Sequence, residues 1–126
     1  MSRSLTLLAA AGFALIASAA SAQMLKAADT AAGKTFVDAK GMTLYTFDKD
    51  AGGKSMCNGP CATNWPPLAA EASAKPAGDM TLVTRDDGSK MWAYKGKPLY
   101  TFAKDSKPGD ATGDGFLNGA WHIAKP

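Results

Sequence analysis

The chain has 126 residues, 46% of them hydrophobic and 20% charged, with 14 Lys and Arg against 11 Asp and Glu and a formal net charge of +3. Lysines and aspartates alternate without a basic block, so the charge reads as a solvated surface and excludes the basic stripe that nucleic acid requires. Two cysteines and one histidine leave few groups for metal or nucleophilic chemistry.

Residues 1–22 read as a signal peptide. Arg3 supplies the positive start, Leu5 to Ala17 is an apolar run shorter than the about 20 residues of a membrane helix, and Ala20-Ser21-Ala22 fits an Ala-x-Ala cleavage site. Cleavage leaves residues 23–126, with 13 basic residues against 11 acidic and no transmembrane segment. That is the size of one small domain, and the expected location is periplasmic or secreted. The Ala-rich stretch Leu25 to Lys34 carries no clear turn signal and is expected to form a short helix or a loose arm.

Next comes the run Thr35 to Lys40, and then a decapeptide that the chain writes twice. Gly41-Met42-Thr43-Leu44-Tyr45-Thr46-Phe47-Asp48-Lys49-Asp50 returns as Gly96-Lys97-Pro98-Leu99-Tyr100-Thr101-Phe102-Ala103-Lys104-Asp105, with seven of ten positions identical at a shift of 55 residues. Each copy follows a run of β-forming residues, the second being Met91 to Lys95, and meets it at a Lys-Gly pair, which is a hairpin signal. Period-two alternation puts Tyr45 with Phe47, and Tyr100 with Phe102, on one strand face, which assigns them to a core. Asp50 and Asp105 follow at the turn, where a carboxylate accepts backbone N–H bonds.

Trp65 lies 20 residues beyond Tyr45 and Trp121 lies 21 beyond Tyr100, so the repeat extends past the decapeptide. Between the copies, Ala69 to Gly78 reads as a linker, and Met80 to Thr84 with the turn Asp86-Asp87-Gly88-Ser89 adds a third strand to the second copy. The fold class expected is all-β: two pseudo-symmetric antiparallel β-meander repeats, about 35–68 and 80–126, packed into one small domain, because one unit alone buries too little.

Cys57 and Cys61 flank the turn-forming Asn58-Gly59-Pro60, and an exported protein meets an oxidising compartment, so a structural disulfide is expected. Two sharper readings stay open: a redox-active pair, although the two-residue spacing and following helix of thiol–disulfide catalysts are missing, and a copper or zinc set of Cys57, Cys61 and His122. The absence of Cys-x-x-Cys-His excludes c-type haem attachment. Asp105, Asp110 and Asp114 do not match a calcium loop. No catalytic motif is present, so no catalytic residue, metal or cofactor is assigned.

The motif Tyr-x-aromatic-x-x-Asp, present at Tyr45 to Asp50 and at Tyr100 to Asp105, resembles that of a secreted-repeat family of predicted lipoproteins defined by Tyr-x-(Phe/Trp/Tyr)-x-x-Asp. The block Cys57 to Leu68 is similar to that family's first repeat, and Gly113 to Ile123 to its second. The resemblance implies export and a repeat architecture and assigns no catalytic residue. The chain departs from it in holding Gln23, not cysteine, as the first residue after cleavage, so lipid anchoring does not carry over. The expected function is therefore a non-enzymatic binding or structural module of the cell envelope, which meets an envelope partner or small ligand through Trp65, Trp121 and His122, with Trp92 a further exposed-aromatic candidate. The alternative is a periplasmic redox or metal-handling protein using Cys57 and Cys61, with or without His122.

Overall fold

The computed structural model describes residues 25–126. The signal-peptide reading of residues 1–22 lies outside the described residues. Ten short elements follow in order: strands β1 (Lys26–Thr30), β2 (Gly33–Val37) and β3 (Tyr45–Phe47), helix α1 (Pro60–Asn64), strands β4 (Ala69–Ala70), β5 (Met80–Thr84), β6 (Lys90–Tyr94) and β7 (Lys97–Pro98), helical turn α2 (Phe116–Gly119) and strand β8 (Trp121–Ile123). Every strand pairing is antiparallel, and the fold is all-β.

The Ala-rich stretch corrects the expectation of a helix or loose arm. It forms β1, whose five residues pair in register with β2 from Lys26 opposite Val37 to Thr30 opposite Gly33. Alanine has little preference for strands, so local pattern hides this one; the turn at Thr30 declares it, with the Thr30 hydroxyl donating to the Gly33 carbonyl at 2.7 Å and Gly33 at φ 118°. The segment read as a linker also begins with structure, since β4 pairs with β6.

In the second copy β5, β6 and β7 run as a meander, with β4 and β7 sharing one edge of β6. The two copies do not fold as separate meanders. The centre of the molecule is the pair Tyr45 and Tyr100: Tyr45 N donates to Tyr100 O at 2.7 Å and Tyr100 N to Tyr45 O at 3.0 Å. Around that point bonds occur in matched pairs. Ala124 N donates to Leu44 O and Leu68 N to Leu99 O, both at 2.9 Å, while Asp48 N reaches Ala120 O and Ala103 N reaches Asn64 O, both at 2.8 Å. The tail of each copy thus pairs with the decapeptide of the other, and β3 pairs with β8 for the same reason.

Two apolar clusters result, one on each face of the decapeptide strands. The first contains Tyr45, Tyr100, Phe102, Trp65, Trp121, Cys57, Met91 and Ile123; the second contains Leu44, Leu99, Trp92, Met80 and Ala124. Strands buried on both faces explain why Leu alternates with Tyr in both decapeptides. Neither copy can supply both faces alone.

Candidate functional site

The aromatic residues of the repeat form one continuous stack. Trp65 and Trp121 lie parallel at 3.8 Å between centroids, Phe102 stacks on Trp65 at 4.0 Å and Phe47 on Trp121 at 4.2 Å. Each tryptophan is thereby covered by the other tryptophan and by a phenylalanine of the opposite copy. Trp65 is 3% exposed and Trp121 1%, so the expectation that they contact a ligand is corrected: both ring faces are already occupied within the core. Trp92, at 4% exposure, is buried as well.

The motif's tyrosines and aspartates pair across the copies. Tyr45 Oη donates to Asp105 Oδ2, and Tyr100 Oη to Asp50 Oδ2, each at 2.6 Å. The second carboxylate oxygens hold their own loops, Asp50 Oδ1 accepting from Met56 N at 2.6 Å and Asp105 Oδ1 from Thr112 N at 2.9 Å. Burial, reinforced by the adjacent carboxylates, pushes both phenols well above their usual range. Burial likewise raises Asp50, against the opposing pull of the Tyr100 hydroxyl, the Met56 amide and Arg85.

Arg85 extends one of these two sites and has no counterpart in the other. Its Nη1 donates to Ser55 Oγ at 3.0 Å and its Nη2 to the Cys57 carbonyl at 2.7 Å. Because the Tyr100 proton goes to Asp50, Ser55 donates to Tyr100 Oη at 2.6 Å, and the chain Arg85, Ser55, Tyr100, Asp50 joins a buried cation to a half-buried carboxylate. Beside it, Cys57 and Cys61 form a disulfide, with Cys57 fully buried. The second copy has Gly113 at the place of Cys57. There a Cβ would meet Trp65 Cη2 at 2.5 Å, so only glycine fits under the tryptophan edge.

His122 lies apart from the cysteine pair's chemistry. Among the described residues no three His, Cys, Asp or Glu side chains are grouped to hold one ion, so the set of Cys57, Cys61 and His122 is not assembled. The three loop aspartates are likewise committed separately: Asp105 to Tyr45 and Thr112, Asp110 to Ser106 and Lys107, and Asp114 to Ile123 N.

His122 instead sits in an open groove of about 490 Å³ between the β3–β8 ladder and the β6–β7 turn. His122 is the cross-strand partner of Thr46 and faces away from the core, and its Nε2 lies 2.8 Å from Asp48 Oδ2, with the imidazole 46% exposed. Lys95, Lys97 and Lys125 line the groove, and Tyr94 contributes apolar surface. A smaller recess of about 120 Å³ continues past Thr46 and Lys97 to Asp50.

A family model described as a secreted repeat of unknown function matches residues 26–69 and again residues 81–125. The chain belongs to this secreted-repeat family. Neither a curated protein nor a solved structure matches it significantly. The two matched segments coincide with the two halves that exchange partners about Tyr45 and Tyr100. The secreted repeat is thus a unit that completes its hydrogen bonds in another repeat. Membership identifies an exported protein, and among the described residues no helix is long and apolar enough to cross a membrane.

Sequence reasoning missed Arg85, Ser55, Asp48 and the groove lysines. The first had a signal: Arg85 is the sole arginine after Arg3 in a chain with 14 basic residues, and arginine suits a buried forked contact as lysine does not. The groove gave none, because its walls come from the ends of both copies.

Proposed function

We propose that this protein is a non-catalytic binding module of the cell envelope, working in the periplasm or on the envelope's outer side, and that its contact face is the groove around His122. One observation carries the reading: Asp48, Lys97, His122 and Lys125 of the groove depart from the internal symmetry, while Thr46 and Lys95 keep it. Asp48 and Ala103 are equivalent by their matched backbone bonds, and His122 corresponds to Pro66, since the Pro66 carbonyl takes the Thr101 amide where His122 pairs with Thr46. By the same correspondence Lys97 replaces Met42 and Lys125 replaces Ala69. The Tyr, Asp and Trp residues that join the copies recur in both halves, whereas these four occur once, as do Arg85 and the disulfide that brace the first copy. The groove volume also falls in the range of about 300–1,000 Å³ typical of small-ligand sites.

The Cys57–Cys61 disulfide serves in this reading as a brace for the loop that carries Ser55 and the Arg85 contacts. The test is native mass spectrometry of protein purified from its own envelope, with a parallel insulin-reduction assay. A stoichiometric small-molecule adduct that disappears in His122→Ala supports the proposal. A bare chain that turns over disulfides catalytically, with activity lost in Cys61→Ser, contradicts it and favours the redox alternative.

A further inference from the structure

Resting on that reading of the groove, we infer that its ligand is a small free organic anion carrying two or more phosphate or carboxylate groups. Lys95 lines the groove from the β6–β7 turn, Lys97 from the start of β7 and Lys125 from the segment after β8. Among the described residues no carboxylate lies within 4.0 Å of any of their ammonium groups. Asp48 is engaged with His122, and Asp50 with Tyr100 and Met56. Three lysines thus line the concave surface against one aspartate side chain, Asp48, which favours an anion over a neutral solute.

The backbone gives a second argument. Lys95 and Gly96 form the two-residue turn between β6 and β7, with φ of 50° and 83°. Glycine, asparagine or aspartate satisfies the first position of such a turn without the strain that lysine incurs there. Lys95 of the second copy adopts this conformation, while Lys40 at the same place in the first copy does not. Strain retained at a side chain that lines an open groove points to a use for that side chain. The Lys95 ammonium also lies 5.4 Å from the Tyr94 ring centroid, which holds it over the groove wall.

The bounded volume of the groove, about 490 Å³, matches a small solute in size. Thr46 and His122 lie on the groove lining together with Lys95, Lys97 and Lys125, within reach of a free anion. Tyr94, half-buried on the lining, offers apolar contact to the carbon skeleton of an organic anion.

The experiment is a titration of the intact oxidised protein with pyrophosphate, with citrate, with neutral N-acetylglucosamine and with phosphatidylglycerol vesicles, followed by amide chemical shifts. Saturable shifts at Thr46, Lys97 and His122 are expected from pyrophosphate or citrate at or below about 10 mM, weakening as salt is added. Lys97→Gln is expected to weaken binding about two- to fivefold, and Lys97→Gln combined with Lys125→Gln more than either alone. Asp48→Asn is expected to tighten it, an opposite sign that a general loss of structure would not produce. Absence of saturable shifts with both anions, or shifts only outside the groove, overturns the inference. Groove shifts with the neutral sugar and none with the anions overturn the anion assignment while leaving the groove as the binding face. Binding to vesicles alone overturns it in favour of a surface role.

Discussion

Tyr45 and Tyr100 each give their single hydroxyl proton to a carboxylate of the other copy, in surroundings where water cannot replace it. Hydrogen bonds to charged groups are worth about 1.5–3 kcal/mol each, and the deprived carboxylate adds to the loss, so Tyr45→Phe and Tyr100→Phe each lower the unfolding free energy by about that amount. Urea denaturation with an unchanged slope checks it. The same phenols set an alkaline limit. Their native pKa lies above the ordinary 10.0, so past that pH the unfolded chain loses protons that the native state keeps, and stability falls as pH rises. Below about pH 10 this contribution is fully present. Urea midpoints at increasing pH are expected to decline past that point in the wild type and to decline less in a Tyr45→Phe/Tyr100→Phe variant. At Gly113 the constraint is space: Gly113→Ala drives a methyl into the Trp65 edge and costs about 1–3 kcal/mol, measurable by the same method.

At the scale of elements, the Cys57–Cys61 bridge closes a loop four residues apart in sequence, which gives about 2 kcal/mol by loop entropy. Replacing both with Ser should lower stability by at least that amount in urea, since Cys57 is fully buried, and leave the β-rich circular dichroism intact, since α1 contributes no fully buried residue. The disulfide was legible because spacing, turn residues and compartment all agreed. The strands of the decapeptides were legible for a similar reason: alternation of Tyr, Thr and Phe is a local signal. β1 was not, because Ala27 and Ala28 carry little β preference and its register is fixed only by β2. α2 was equally hidden, with Leu117 and Asn118 both at φ 58°, a left-handed pair that no propensity predicts.

For the whole molecule, the doubled motif declared two units, but not that each completes the other. That fact depends on Leu44 with Ala124 and Leu99 with Leu68, pairs separated by most of a repeat or more. The tryptophans illustrate the consequence. Read along the chain, Trp65 and Trp121 follow glycine-rich loops and invite a surface role; in the folded protein, exchange of tails brings them face to face in the core. Symmetry marks the residues that join the copies, and Asp48, Lys97 and His122 of the groove stand outside it without the bracing contacts that Arg85 and the disulfide make. The most direct measurement is an amide and indole shift map of the oxidised protein titrated with a small-molecule extract of its own envelope. The account predicts shifts at Thr46, Lys97 and His122 with the Trp65 and Trp121 indole signals unmoved. Shifts confined to the Cys57–Cys61 loop or to the exposed Phe116 and Leu117, with the groove silent, would contradict it.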